Sequence, residues 1–77
     1  MESLKNIVSR VLNVGIGKIN GKLSRNDTEE WDSFNHLLLI SEIEKNLGIK
    51  FTASEIDSIK TFKDLSEMVF GKESKNK

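Results

Sequence analysis

"EEWDSFNHLLLISEIEKNLGIKF", residues 29–51, holds a helix together with both of its ends. Asp32 and Ser33 are residue types preferred at a helix start, where a side-chain oxygen accepts from otherwise unpaired backbone N–H groups. Gly48 is the residue type that stops a helix in the left-handed conformation. The helix is therefore expected from about Ser33 to Leu47. Advancing about 100° per residue sorts its apolar side chains into two groups. Leu39, Ile40, Ile43 and Leu47 gather on one side with His36 among them, while Phe34 and Leu38 point the other way and Leu37 lies at the border. The larger group is the natural core face. Phe34 and Leu38 are then left toward solvent, close to Ser33, with Ser41 and Lys45 beside them.

Outward from this helix, the rest of the chain reads as further helices. Leu4, Ile7, Val8, Val11 and Leu12 follow the i, i+3, i+4, i+7, i+8 spacing of one apolar face, with Gly15 and Gly17 as the stop. Residues 15–32 form a long connection carrying the turn signal Asn20-Gly21, which Ile16, Ile19 and Leu23 can pin to the core. Connections of this length are uncommon in compact domains and often functional. After the short apolar connector "IKF" (49–51), Thr52 and Glu55 have the spacing of a capping box that opens a short helix. Thr61 and Asp64 repeat a similar start for a last helix, whose apolar side is Phe62, Leu65 and Val69. The expected fold is all-α: a bundle of three main helices and one short one, with a long loop between the first and second. Residues 1–71 form the domain, and 72–77 a polar, disordered tail.

Seventy-seven residues leave room for one small core. With no cysteine, neither a disulfide framework nor a thiolate metal site can hold it. No apolar run approaches the roughly 20 residues needed to cross a bilayer, and "MESLKNIVSRVLNVG" alternates charge and oil, unlike a signal peptide. A cytoplasmic monomer without membrane insertion is expected. Twelve basic and twelve acidic residues balance to zero formal charge. A nucleic-acid binder gathers basic excess on one face, but Lys18, Lys22 and Arg25 are followed at once by Asp27, Glu29 and Glu30.

Ser33 by itself reads as a cap. Asp32 can take that duty, which leaves the Ser33 hydroxyl outward in the first turn. There the positive end of the helix dipole favours an attached phosphate, by about 0.3–1 kcal/mol when exposed.

At this point the chain resembles the acyl carrier protein family, which includes the peptidyl and aminoacyl carriers. The resemblance covers nearly the full length: an amphipathic first helix, a long pinned loop, "WDSF" opening the second helix, "LGIKF" after it, and two C-terminal helices. The family motif is Asp-Ser-Leu, and its serine carries phosphopantetheine. Asp32 and Ser33 match it, so the resemblance implies that Ser33 is the attachment site and Asp32 its motif partner. The implied function is that of a stand-alone carrier, not an enzyme, holding acyl or related intermediates as thioesters. Its implied partners are a phosphopantetheinyl transferase drawing on coenzyme A, an acyl- or aminoacyl-loading ligase, and downstream synthase or transferase enzymes. A docking patch of Phe34, Leu37, Leu38, Ser41 and Glu42 would meet them. Two departures stand out. Phe34 replaces the usual leucine, and the chain is neutral where the typical carrier is strongly acidic, although Glu42 and Glu44 remain on the second helix. A specialised pathway is the reading that follows, with acyl, aminoacyl and polyketide cargo all open.

Two rivals come from other classes. His36 lies three residues after Ser33, a spacing that can bring side chains together, but no third orienting group or oxyanion hole completes a Ser-His nucleophile. An unmodified interaction module of the same fold would use the Phe34/Leu38 patch and leave Ser33 bare. "NDT" at Asn26 and the oxygen-rich "NGKLSRNDTEE" read as polar loop, not as a glycan acceptor or a calcium loop. Trp31 is expected to anchor that loop over the core, and its indole N–H needs a partner if buried.

Overall fold

The computed structural model describes residues 3–75. Four α-helices follow one another: α1 (Leu4–Leu12), α2 (Ser33–Leu47), α3 (Ala53–Ser58) and α4 (Phe62–Lys75), with a 3₁₀ turn at Ile16–Lys18. Among the described residues there is no strand, only an isolated bridge between Ser24 and Thr61. The all-α expectation is therefore met. No helix of the described residues is long and apolar enough to cross a membrane.

Local chemistry places each boundary. Ser3 caps α1 by accepting from the Asn6 N–H at 3.2 Å. Its C-terminal stop is Asn13, left-handed at φ 57°, and not the glycines: Gly15 lies beyond the cap and Gly17 sits inside the 3₁₀ turn. Asparagine tolerates this conformation better than other side chains, so it supplies the stop two residues early. Thr52 and Glu55 form the expected capping box of α3, and Thr61 and Asp64 exchange the same pair of bonds at the start of α4. The last helix runs through Gly71, where the sequence placed the edge of the domain, and on to Lys75. Lys72 belongs to the packed structure: its ammonium pairs with Glu55 at 2.8 Å and lies 5.3 Å from the Phe51 ring centre. Residues 76 and 77 of the expected tail lie outside the described residues.

The core takes Ile7, Val8 and Leu12 from α1, Leu39, Ile40 and Ile43 from α2, and Phe62, Leu65 and Val69 from α4. The connections add Ile19, Trp31, Ile49 and Ile59, whereas α3 buries no residue fully. Burying such a side chain stabilises the fold by about 1.5–3 kcal/mol relative to leaving it exposed. Ile19 and Leu23 pin the long loop as expected, but Ile16 is half exposed and does not. Backbone bonds complete the attachment. Arg25 N–H donates to Lys60 O and Phe62 N–H to Leu23 O, both at 2.9 Å, while the Arg25 guanidinium donates to Ile59 O at 2.7 Å.

Candidate functional site

The start of α2 is built by three consecutive residues with separate duties. Trp31 is buried to 2% exposure and anchors the loop over the core. Asp32 is the N-cap: its backbone is extended and its Oδ1 accepts from the Asn35 N–H at 2.8 Å. Asn35 in turn donates from Nδ2 to the Glu30 carbonyl, also at 2.8 Å, tying the loop end to the first turn. Ser33 is the first helical residue, and it is exposed. Because Asp32 does the capping, the Ser33 hydroxyl makes no hydrogen bond among the described residues.

The first turn suits an anion. The Asn35 N–H is taken by Asp32 Oδ1 and the His36 N–H by Asp32 O. The Ser33 and Phe34 N–H groups have no partner within the helix, as at any helix start. No helical residue of that turn is acidic, and the adjoining Asp32 carboxylate is committed to the Asn35 N–H. A phosphodiester on the Ser33 hydroxyl would meet the positive end of the helix, so the residues present fit such a group.

His36 is not poised against Ser33. It is buried to 3% exposure, and both ring nitrogens are engaged. Trp31 Nε1–H can only donate, so His36 Nδ1 must accept across their 3.0 Å contact. The proton then sits on Nε2, which donates to the Ile56 carbonyl at 2.8 Å. Burial lowers the His36 pKa below 6.5, opposed by the Ile56 carbonyl. A neutral histidine with both nitrogens committed cannot relay a proton from Ser33. The indole partner that Trp31 requires is thus His36. The chain's single Trp and single His, each buried with polar atoms to satisfy, are the signal that could have paired them.

Along α2, Phe34, Leu37 and Leu38 are exposed to 73%, 60% and 41%, and Ser41 is exposed as well. The structure therefore gathers Ser33, Phe34, Leu37, Leu38 and Ser41 on the outward side of one helix. Leu37, at the border by its helical angle, falls on the solvent side. Glu42 is drawn away. Its Oε1 pairs with the Arg10 guanidinium of α1 at 3.0 Å, a partner the sequence reading missed. Glu44 is committed too: its Oε2 accepts from the Phe51 N–H at 2.9 Å. In the loop, Asp27 accepts from the Ser24 hydroxyl at 3.1 Å, and no cluster of His, Cys, Asp and Glu able to hold a metal occurs among the described residues.

The described residues form a four-helix bundle with a long clasped loop before its second helix. Comparison with known proteins makes this specific. Residues 2–69 match the model of a family described as a phosphopantetheine attachment site. Among solved structures, the chain is similar to the holo acyl carrier protein of Geobacter metallireducens, at 30% identity and a TM-score of 0.85, over 95% of this chain and 84% of that one. No curated protein matches. The chain belongs to the acyl carrier protein family. It is a carrier, not an enzyme, and the cofactor of its family is covalently bound phosphopantetheine.

Proposed function

We propose that Ser33 is the attachment residue, with Asp32 as its motif partner, and that the chain holds acyl or related intermediates for partner enzymes of a specialised biosynthetic pathway. One observation carries the assignment: Asp32 provides the cap, so Ser33 presents an exposed, unbonded hydroxyl at the helix start. The arm, when bound, supplies the thiol that a cysteine-free chain lacks, so that cargo can be held as a thioester. The protein's own residues hold and present. Trp31 and Asp32 fix the start of α2, Ser33 takes the phosphodiester, and the helix dipole favours its charge. A tether of this kind raises the effective concentration of cargo at each docked enzyme.

The partners on this reading are a phosphopantetheinyl transferase, a loading ligase and downstream synthase or transferase enzymes, met by a monomeric carrier in the cytoplasm. Neutral overall charge, where general fatty-acid carriers are acidic, supports a dedicated pathway. The outward residues Phe34, Leu37, Leu38 and Ser41 form the docking face. Incubation with coenzyme A and a broad-range phosphopantetheinyl transferase, read by intact mass, tests the assignment. A gain of one arm that disappears in Ser33→Ala is the expected result. No gain in a folded protein, with none in protein from its native host, would leave an unmodified interaction module instead.

A further inference from the structure

Four bonds shape the turn that presents Ser33. Asp32 Oδ1 accepts from the Asn35 N–H, Asp32 O from the His36 N–H, and Glu30 O from Asn35 Nδ2. The fourth runs from the Trp31 indole N–H to His36 Nδ1. Together they tie residues 30–32 to residues 35 and 36 and leave Ser33 and Phe34 as the span between. The two bonds that use the Asp32 and Asn35 side chains are exposed, so water can stand in for a lost partner. The Trp31–His36 bond is buried, and there an indole N–H without an acceptor keeps its full desolvation penalty. The end of the loop is thus held most firmly by its buried bond.

His36 Nδ1 accepts only while Nε2 holds the ring's proton, and the Ile56 carbonyl of α3, at 2.8 Å, keeps the proton there. The charges acting on the ring are Arg25 from the loop, Asp57 from α3 and Lys60 after it. Burial and the two cations disfavour a second proton, against the Ile56 carbonyl and Asp57. A second proton taken from solvent in mild acid goes to Nδ1. It removes the acceptor of Trp31, two residues before Ser33, while the bond to Ile56 O survives. The ring itself is not poised against Ser33, so its effect on that hydroxyl runs through Trp31. Resting on the reading of Ser33 above, we infer that His36 is a positioning residue for arm attachment. Neutral, it holds the loop end so that Ser33 meets the transferase in place; with both nitrogens protonated, it lets that end go.

The test uses the full chain, coenzyme A and a broad-range phosphopantetheinyl transferase, with arm transfer timed by intact mass and folding checked by circular dichroism. His36→Leu should lower kcat on the order of tenfold, as misplacement of a reacting group does. Its KM should stay within about twofold, because the outward face of α2 is untouched. His36→Gln, which keeps an acceptor and a donor, should recover most of the loss. Trp31→Phe keeps a ring in the core and drops the N–H; it should match His36→Leu, and takes its place if that variant does not fold. The ratio of the wild-type rate to the His36→Gln rate should fall from pH 7.5 to pH 5, since the transferase's own pH dependence cancels. The fluorescence of the single tryptophan should titrate over the same interval in the wild type and not in His36→Gln. A kcat within about twofold of wild type in the folded variants would overturn the inference while the Ser33 assignment stood. So would a loss that His36→Gln does not recover, or a ratio that stays level while the fluorescence titrates. Wild-type protein that gains no arm would sink both.

Discussion

Trp31 donates its indole N–H to Nδ1 of His36 across 3.0 Å, inside the core, with the two ring centres 6.0 Å apart. This contact joins the end of the long loop to the second turn of α2. Through Nε2 it also reaches the Ile56 carbonyl of α3. A second proton on the histidine would turn Nδ1 from acceptor into donor and face it against the indole N–H.

Stability should therefore fall in mild acid. The folded pKa of His36 is lowered from 6.5 chiefly by burial, with the Ile56 carbonyl opposing, Arg25 and Lys60 lowering and Asp57 raising it. A lowered histidine pKa means that the unfolded chain binds the proton first. The contribution is complete above pH 6.5 and is lost as pH drops from there toward the folded pKa. Urea unfolding at pH 7.5, 6 and 5 checks it: the midpoint should decline in the wild type and stay nearly level in His36→Gln over the same range.

Asp32 and Ser33 should separate cleanly by mutation. Asp32→Ala removes the bond to the Asn35 N–H and should cost about 1 kcal/mol of stability, as cap losses do. Ser33→Ala removes a hydroxyl with no partner and should stay within about 0.5 kcal/mol. Equal losses in chemical denaturation would contradict the division of labour at this helix start.

Gly48 closes α2 at φ 67° and ψ 32°, with its N–H donating to the Glu44 carbonyl at 3.0 Å. An added Cβ would meet open space, so any penalty is conformational and not steric crowding by neighbours. Gly48→Ala should destabilise by about 1–2 kcal/mol, lowering the thermal midpoint while leaving the helical spectrum of the folded protein intact.

The two apolar sides of α2 should respond differently to truncation. Ile43 is fully buried, and Ile43→Ala should cost about 2–5 kcal/mol through lost burial and a cavity. Leu37, at 60% exposure, should change stability by no more than about 0.5 kcal/mol when cut to alanine. Calorimetry on the two variants decides whether the outward leucine is free of the core.

Helix positions and the core face of α2 were legible because spacing alone determines which side chains share a face. Leu39, Ile40 and Ile43 are buried where their angles put them, and Phe34 and Leu38 are outside. Long-range partners were not legible. Arg10 and Glu42 lie 32 positions apart, and only the packing of α1 on α2 brings them within reach. The same holds for the Arg25 guanidinium on Ile59 O, 34 positions away. The stop of α1 was misplaced for a local reason, since two glycines outweighed an asparagine that takes the left-handed conformation first. Past Gly71 the chain is polar, but the Lys72 ammonium, set over the Phe51 ring and paired with Glu55, keeps that turn packed, which a composition argument does not register.

The bonds between residues 23–25 and 59–62 have a kinetic meaning. Each closes a chain segment of more than thirty positions, so the clasp must wait until the ends of that segment meet, and its closure entropy is recovered late. The Trp31–His36 contact spans five positions and needs no such meeting. Opening of the clasp is then a local event, with the Trp31–His36 contact and the Asp32 cap intact beneath it. A protease or a deuterium pulse would then register residues 24–28 letting go while the start of α2 still holds.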